Sequence, residues 1–487
     1  MTESGCSLVR RFATLARRAP ATPILFDADG RVAATRAALA CRIQALAGNV
    51  SRSVRPGSVA VLSLGNGPDF IVAFAALRAL GAVVLLVDAT APRDDLARCA
   101  TAVGATAILA DESRLPVVPQ QMLGELALAK ISAPPINLPR GTAVLKLTSG
   151  STGEPRAVAV DVGGLVRDTV QILRTMALTP ADITLAAIPL THSYGVGSCL
   201  VPLFLVGMPL AFPTCALPAA LAHTLVEARV SHFPAVPAMV RALARLPNMP
   251  DLPLLRVCLS AGAPLAPEDA AAFYCACTVK VHSFYGTSEC GGISYDRSRE
   301  PVKMHGMVGT AMEGVEIEIL DGAGHPMTSG GEGRVRVRSR AAAIGIVPSD
   351  EDGALGPGRF LTPDLGRLDD TGRLTLIGRI GDVINVAGKK VQAEEVRRII
   401  EAVPGVRAAR VVGIPGAHRG QVVAAVVAVD TSAGVDSERI MLACRTRLAA
   451  YKWPRRLVLL DELPVSERGK VRQEALLALL TPRQAKE

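Results

Sequence analysis

Aromatic side chains are scarce in this sequence, 3% of 487 residues with a single tryptophan. Hydrophobic residues still reach 49%, so a core has to be assembled from alanine, valine and leucine. No block of lysine and arginine interleaved with aromatics occurs, which argues against a nucleic-acid surface. The net charge of +9 is modest for the length and suits attraction to small anions. The ten cysteines are scattered, and Cys275-Ala276-Cys277 has no second pair at metal-ligand spacing. They therefore read as buried free thiols in a reducing cytoplasm, neither a zinc set nor a disulfide framework. An unbroken membrane helix is missing too. Between Asp182 and Glu227 there is no Asp, Glu, Lys or Arg, but Pro189, Pro202, Pro209, Pro213 and Pro218 interrupt the run. Each proline removes a helix hydrogen bond that hydrocarbon does not replace. The segment reads as the buried floor of a soluble globular domain.

What the chain has in quantity is small residues, with 44 glycines and 34 prolines. With this length they point to an α/β protein of two to four folding units joined by tight connections. Ser7 to Arg18 places Leu8, Phe12 and Leu15 at helical spacing between arginines, an amphipathic first helix. From Ala21 to Asp88, strand-like runs alternate with alanine-rich helical ones. Ser58–Leu64 reads as a strand, Phe70–Leu80 as a helix and Ala82–Val87 as a fully buried strand, the βαβ pattern of a parallel sheet. Ala105–Ala110 reads as a further strand, and 116–139 as a loop-rich bridge.

The bridge leads into the stretch on which the chain is organised, Leu145-Lys146-Leu147-Thr148-Ser149-Gly150-Ser151-Thr152-Gly153-Glu154-Pro155-Arg156. A buried strand runs into alternating hydroxyls and glycines and ends at a cation. Successive N–H groups in such a turn form an anion nest, and the hydroxyls and the arginine add donors. The same cluster on a surface would be an ordinary turn. Its position directly after a buried strand favours phosphate. It is not the P-loop pattern, since no G-x-x-x-x-G-K-[ST] is present.

Beyond a helix, roughly Gly163 to Met176, several strands run out into small or polar loops. Thr184–Pro189 delivers Pro189-Leu190-Thr191-His192-Ser193-Tyr194-Gly195. Val230–Pro237 ends another βα unit, and Leu255–Ser260 breaks into Ala261-Gly262-Ala263-Pro264. Val279–Phe284 ends in Tyr285-Gly286-Thr287-Ser288-Glu289. Ligands of open α/β sheets sit where such carboxyl ends converge. A lone histidine such as His192 is otherwise more often structural than functional.

TSGSTGEPR, PLTHSYG, SAGAPL, YGTSE, FLTPDLG, GRIGDVINVAGKKVQAEEV and LPVSERGKVR follow one another in this chain. In order and spacing they resemble the superfamily of acyl-adenylate-forming enzymes: acyl- and aryl-CoA synthetases, peptide-synthetase adenylation domains and beetle luciferases. The resemblance covers essentially the whole chain. It implies a large N-terminal domain of parallel-sheet βα subdomains, residues 1–381, and a small mobile α+β C-terminal domain, residues 382–487, with a hinge at Asp382.

Carried over residue by residue, the resemblance assigns Thr148, Ser149, Gly150, Ser151, Thr152 and Gly153 to the β- and γ-phosphates of ATP. Arg156 stands where the family usually has lysine, a planar fork in place of a point charge. Gly262 and Ala263 would line the adenine side. Tyr285 and Gly286 would flank the adenine, with Tyr285 stacking on it, and Thr287 or Ser288 would reach the α-phosphate. The family more often has threonine at the position of Ser288. Glu289 would help hold Mg²⁺. Asp364, preceded by Pro363 where glycine is usual, would bind the ribose hydroxyls, and Arg379 the ribose or phosphate. His192 would stand at the mouth of an acid pocket with Tyr194, Gly195 and Gly291. Lys470 matches the family's catalytic lysine, and Gly388 and Lys389 fall in the segment presented to the thiol's tunnel.

The reaction so implied is attack of a carboxylate on the α-phosphorus of ATP, then transfer of the acyl group to a thiol. No general base is needed for the first step, because a carboxylate is already ionised at pH 7. No aspartate follows His192 where an amino-acid-activating domain anchors the amine. Gly195, Gly197, Gly291 and Gly292 suggest open volume beside Leu200–Leu205, so an apolar acid, aromatic or fatty, is favoured. Coenzyme A is the expected acceptor, and the phosphopantetheine of a separate acyl carrier protein the alternative. From another class, the changes at Arg156, Ser288 and Pro363 allow a non-catalytic ATP-binding regulator.

Overall fold

The computed structural model describes residues 7–124, 126–148, 155–348, 353–380, 383–386, 389–416, 420–448, 450–464 and 473–480. The chain divides into two compact units, Met1–Thr362 with Arg367–Thr375, and Pro363–Gly366 with Leu376–Glu487. This partition falls a few residues ahead of the expected hinge at Asp382, which lies outside the described residues.

In the larger unit one sheet is built on four parallel strands, Val59–Ser63, Val83–Leu86, Ala107–Asp111 and Thr142–Thr148. The first two are buried along their whole length, as expected of strands covered on both faces. Helix Pro68–Ala79 covers one side with Phe70 and Phe74. The edges are antiparallel. Gln121–Leu123 and Leu126–Lys130 extend one of them, within the stretch read from sequence as a loop-rich bridge. On the other edge Arg156–Asp161 pairs with Thr142–Thr148, and Gly345–Val347 closes the sheet. The hydroxyl- and glycine-rich loop therefore spans a hairpin. The helix expected after it, Val162–Thr175, begins only beyond that second strand, capped by Asp161.

The second sheet of this unit runs in parallel through Pro23–Phe26, Leu210–Ala211, Thr184–Leu185, His232–Ala235, Val257–Ser260 and Val281–Thr287. Gly291–Tyr295 and Met307–Ala311 then continue it antiparallel. The first strand thus pairs with one 185 residues downstream, at Leu25↔Leu210. Helix Ser7–Arg18 seats Phe12 edge-on against Phe204, ring centroids 5.5 Å apart. Its Arg11 donates to the carbonyl of Leu205.

The uncharged segment forms no long helix. A helical stretch from Ser193 to Val206 is widened to π spacing over Val196–Leu200 and stops at Gly207, in left-handed conformation. No helix among the described residues is long and apolar enough to cross a membrane.

The smaller unit carries a sheet of Lys389–Gln392, Val383–Val386, Gly420–Val429, Val406–Gly416 and Arg456–Leu460. Helices Ala393–Glu401 and Ser437–Arg447 pack one face through Val396, Ile400, Ile440 and Cys444. Leu476 and Leu480 of helix Gln473–Leu480 pack the other. Sequence and structure agree on this α+β plan. They differ on the cysteines, because Cys41, Cys215 and Cys275 are exposed.

Candidate active site

The site grows from strand ends. Thr148 closes its strand opposite Arg156, and its hydroxyl donates to the Arg156 carbonyl at 3.4 Å. Ser149 to Gly153 lie outside the described residues. Alternation along the hairpin puts Lys146, Thr148 and Arg156 on one face of the sheet, so a row of polar groups leads to the loop.

The strand Thr184–Leu185 leads to His192 through a stretch held by Asn66. The Asn66 amide donates to the carbonyls of Ala186 and Ile188 at 2.9 and 2.7 Å and accepts the Leu190 N–H at 2.9 Å. His192 is half exposed, and its Nε2 lies 3.4 Å from Oδ2 of Asp88. Asp88 follows the buried strand Val83–Leu86 and also accepts the N–H and hydroxyl of Thr90. Hydrogen bonding to His192, helped by Thr90, holds its carboxyl well below the usual carboxylate range despite partial burial. Asp88 stays ionised beside the imidazole.

Tyr194, in the first helical turn, lays its ring on Phe284, centroids 5.5 Å apart. The Ser193 hydroxyl donates to that of Ser288 at 2.9 Å. Tyr285 and Gly286 lie within the strand Val281–Thr287, Tyr285 almost wholly buried, and the Thr287 hydroxyl accepts the N–H of Cys290. Glu289 is half-buried, and its carbonyl accepts the N–H of Ala343 at 2.7 Å. Gly262 takes φ +86° after the strand Val257–Ser260, a turn that favours glycine, and leaves Ala263 exposed.

The glycines do not enclose open volume, contrary to the sequence reading. A methyl group at Gly195 would lie 2.2 Å from the Pro189 carbonyl oxygen, and one at Gly197 2.9 Å from Oδ2 of Asp168. At Gly291 it would meet Oδ1 of Asp168 at 2.2 Å, and at Gly292 Sδ of Met312 at 2.7 Å. These glycines mark close approach, not space.

Lys146 and Asp168 are both buried. Burial pushes the Lys146 ammonium below its usual range, opposed by the charges of Asp168 and Glu289. It pushes the Asp168 carboxyl up, opposed by Lys146 and the Gly292 N–H.

In the smaller unit Arg379 donates from Nε to Oδ1 of Asp364 at 2.6 Å, so the two expected nucleotide residues there are joined as an ion pair. Gly388 and Lys470 lie outside the described residues, as does the side chain of Lys389. Within the larger unit, Thr148 and Arg156 are thus paired across one hairpin, and the stretch of His192 and Tyr194 is joined to that of Ser288 and Glu289 through Ser193–Ser288 and Tyr194–Phe284. The sequence reading missed Asn66, Asp88, Lys146 and Asp168. A charge inside an apolar strand or on the apolar face of a helix was the available signal for the last two.

A family model for AMP-binding enzymes matches residues 12–347, and one for the C-terminal domain of AMP-binding enzymes matches residues 395–470. The chain belongs to the AMP-binding enzyme family. Feruloyl-CoA synthase of Amycolatopsis is 28% identical to this AMP-binding enzyme over 458 residues, 91% of this chain and 93% of that protein. The O-succinylbenzoate coenzyme A synthetase of Bacillus subtilis, solved with AMP, superposes with a TM-score of 0.83 at 23% identity, covering 96% of this chain and 97% of that one. The amide bond synthetase McbA of Marinactinospora thermotolerans gives 0.80 at 25% identity, covering 97% and 99%. The fold is that of the adenylate-forming enzymes. As a member of their acyl- and aryl-CoA synthetase branch, this AMP-binding enzyme is an ATP-dependent acid–thiol ligase.

Proposed function

We propose that this AMP-binding enzyme activates an aromatic acid, or failing that a fatty one, as its acyl-adenylate and passes the acyl group to coenzyme A. The observation that carries the choice of acid is Tyr194 lying on Phe284 two residues beyond His192, beside an uncharged, buried helix. The two rings, tilted 36° to one another, form an aromatic pair that an aryl group can extend with offset or edge contacts. No carboxylate lies within that helical stretch to hold an ammonium, which disfavours an amino acid. The feruloyl-CoA synthase likeness points the same way.

In the first step the acid's carboxylate attacks the α-phosphorus of ATP and pyrophosphate leaves. Both partners are anions, so catalysis lies in donors and cations set where charge accumulates, and in held geometry. Thr148, Arg156 and Ser288 supply donors toward the phosphates, and Lys470 is assigned to the charge developing at the reacting centre. Glu289 offers one hard oxygen ligand, and the described residues hold no group of three or more metal-ligating side chains. A carboxylate such as that of Glu289 suits Mg²⁺, which keeps waters and substrate phosphates around one or two carboxylates. When bound, the metal neutralises phosphate charge. In the second step a thiol displaces AMP; the hinge role falls to Asp382 and the thiol-tunnel role to Gly388 and Lys389 on the sequence resemblance alone.

The test is acid-dependent exchange of labelled pyrophosphate into ATP across matched aryl and alkyl acids. Each active acid is then offered coenzyme A, a phosphopantetheinylated carrier protein and simple amines. Exchange confined to aryl acids with turnover on coenzyme A is the expected result. Exchange with amino acids, or none with any acid, would overturn it.

A further inference from the structure

Two ionisable side chains sit inside the larger unit where the apolar pattern calls for hydrocarbon. Lys146, on the strand Thr142–Thr148, is 3% exposed, and Asp168, on the helix Val162–Thr175 between Leu165 and Ile172, is 5% exposed. A lone ion at either place would be strongly disfavoured, and a buried pair is stabilising only when its remaining hydrogen bonds are met. The Asp168 carboxylate meets backbone on two further elements. Its Oδ1 accepts the N–H of Gly292 at 2.9 Å. It also fills the space a side chain would take at Gly291, which stands at φ +72°, and at Gly197 in the π-wide turn. Lys146 stands on the same strand face as Val144, which shares a core with Leu165 of the helix that carries Asp168. The charges of Asp168 and Glu289 both bear on its ammonium.

We propose that Asp168 and Lys146 are positioning residues for the adenylation step. Asp168 fixes Gly291 and Gly292, the start of the strand that follows the Ser288–Cys290 turn carrying Glu289. Lys146 balances both carboxylates, so that Glu289 presents its oxygens toward the nucleotide's metal in one orientation. The proposal rests on Glu289 being the magnesium carboxylate. Residues that orient a ligating group in this way typically govern affinity or rate by about 10–100-fold without touching the metal.

The experiment is a double-mutant cycle of Asp168→Asn and Glu289→Gln. Calorimetric ATP binding, with and without Mg²⁺, and pyrophosphate exchange are measured on all four proteins. Asp168→Asn is expected to weaken MgATP binding and slow exchange by about tenfold, while Mg-free ATP binding stays within about twofold. In the Glu289→Gln background it should add no more than about twofold. Losses that multiply in the double variant, or that are equal without Mg²⁺, would overturn the proposal. Should Asp168→Asn not fold, Lys146→Gln takes its place in the cycle with the same expectations. Combining Lys146→Gln with Asp168→Asn removes both charges and should restore the melting temperature while MgATP binding stays weak. Recovery of both would make the pair structural only. If the wild-type protein exchanges with no acid, the proposed function fails, and the calorimetric cycle still decides the positioning role.

Discussion

The Ser193 hydroxyl donates to the Ser288 hydroxyl across 2.9 Å, joining two loops 95 residues apart in sequence. One carries His192, proposed for the acid pocket, and the other Glu289, the carboxylate proposed for the metal. Replacing Ser193 by alanine removes one neutral hydrogen bond, for which about 0.5–1.5 kcal/mol is typical. The KM for ATP should rise about threefold to tenfold, with kcat changed less, in steady-state kinetics. Ser288→Thr keeps the hydroxyl and should behave nearly as wild type. An inactive Ser288→Thr enzyme would show that the added methyl has no room.

Asp88 gives a pH-dependent prediction. Its carboxyl is held below the ordinary range by the hydrogen bond with His192. Because the folded value is depressed, its contribution to stability is complete above the unfolded value, about 3.9. It is lost as pH falls through the lower folded value. Asp88→Asn should melt below wild type at neutral pH, and the gap should close progressively at pH values under about 4. Differential scanning fluorimetry from pH 3 to pH 8 would read this; a gap constant with pH would refute it.

Asn66 is a clamp on the approach to His192. Asn66→Ala leaves two carbonyls and one N–H without their partner, partly open to water. A loss of about 1–3 kcal/mol in urea unfolding is expected. The acid's KM should rise as the His192 loop loosens. Unchanged stability would place water on all three groups.

Lys280 and Asp296 are buried together, Nζ to Oδ2 at 2.8 Å, and Lys280 also donates to the Ser298 hydroxyl. Lys280→Met strands a buried carboxylate and should cost about 3–5 kcal/mol. Lys280→Met with Asp296→Leu should recover most of that in chemical denaturation. Equal losses in the single and double variants would mean that repacking, not the uncompensated charge, sets the cost.

Turn chemistry made much of the site readable in the sequence. Gly262 and Gly291 lie where the backbone is left-handed, and the strand ends that carry His192, Thr148 and Thr287 follow apolar runs. Pairing partners were not readable. Asp88, Lys146 and Asp168 look like any charged residue until the fold brings the second group beside them. Leu126–Lys130, Leu-Ala-Leu-Ala-Lys, has helix-forming composition, yet pairing with Ala107–Asp111 makes it a strand. Arg156–Asp161 was missed because its small residues continue the loop without a break. Glycines taken as room for a substrate turned out to be places where carbonyl or carboxylate oxygens, or at Gly292 the Met312 sulfur, press close, which sequence cannot distinguish.

The closing strand of the first sheet has a consequence for synthesis. Among the described residues, the outer edge of Arg156–Asp161 pairs with Gly345–Val347, far along the chain. At about 5–20 residues per second, roughly 10 to 40 s separate the emergence of one from the other at the ribosome. During that interval the nascent chain carries an open β edge, able to recruit a neighbouring copy. Truncations that end before Gly345 would keep that edge permanently, so they should be recovered from inclusion bodies and not from the lysate supernatant.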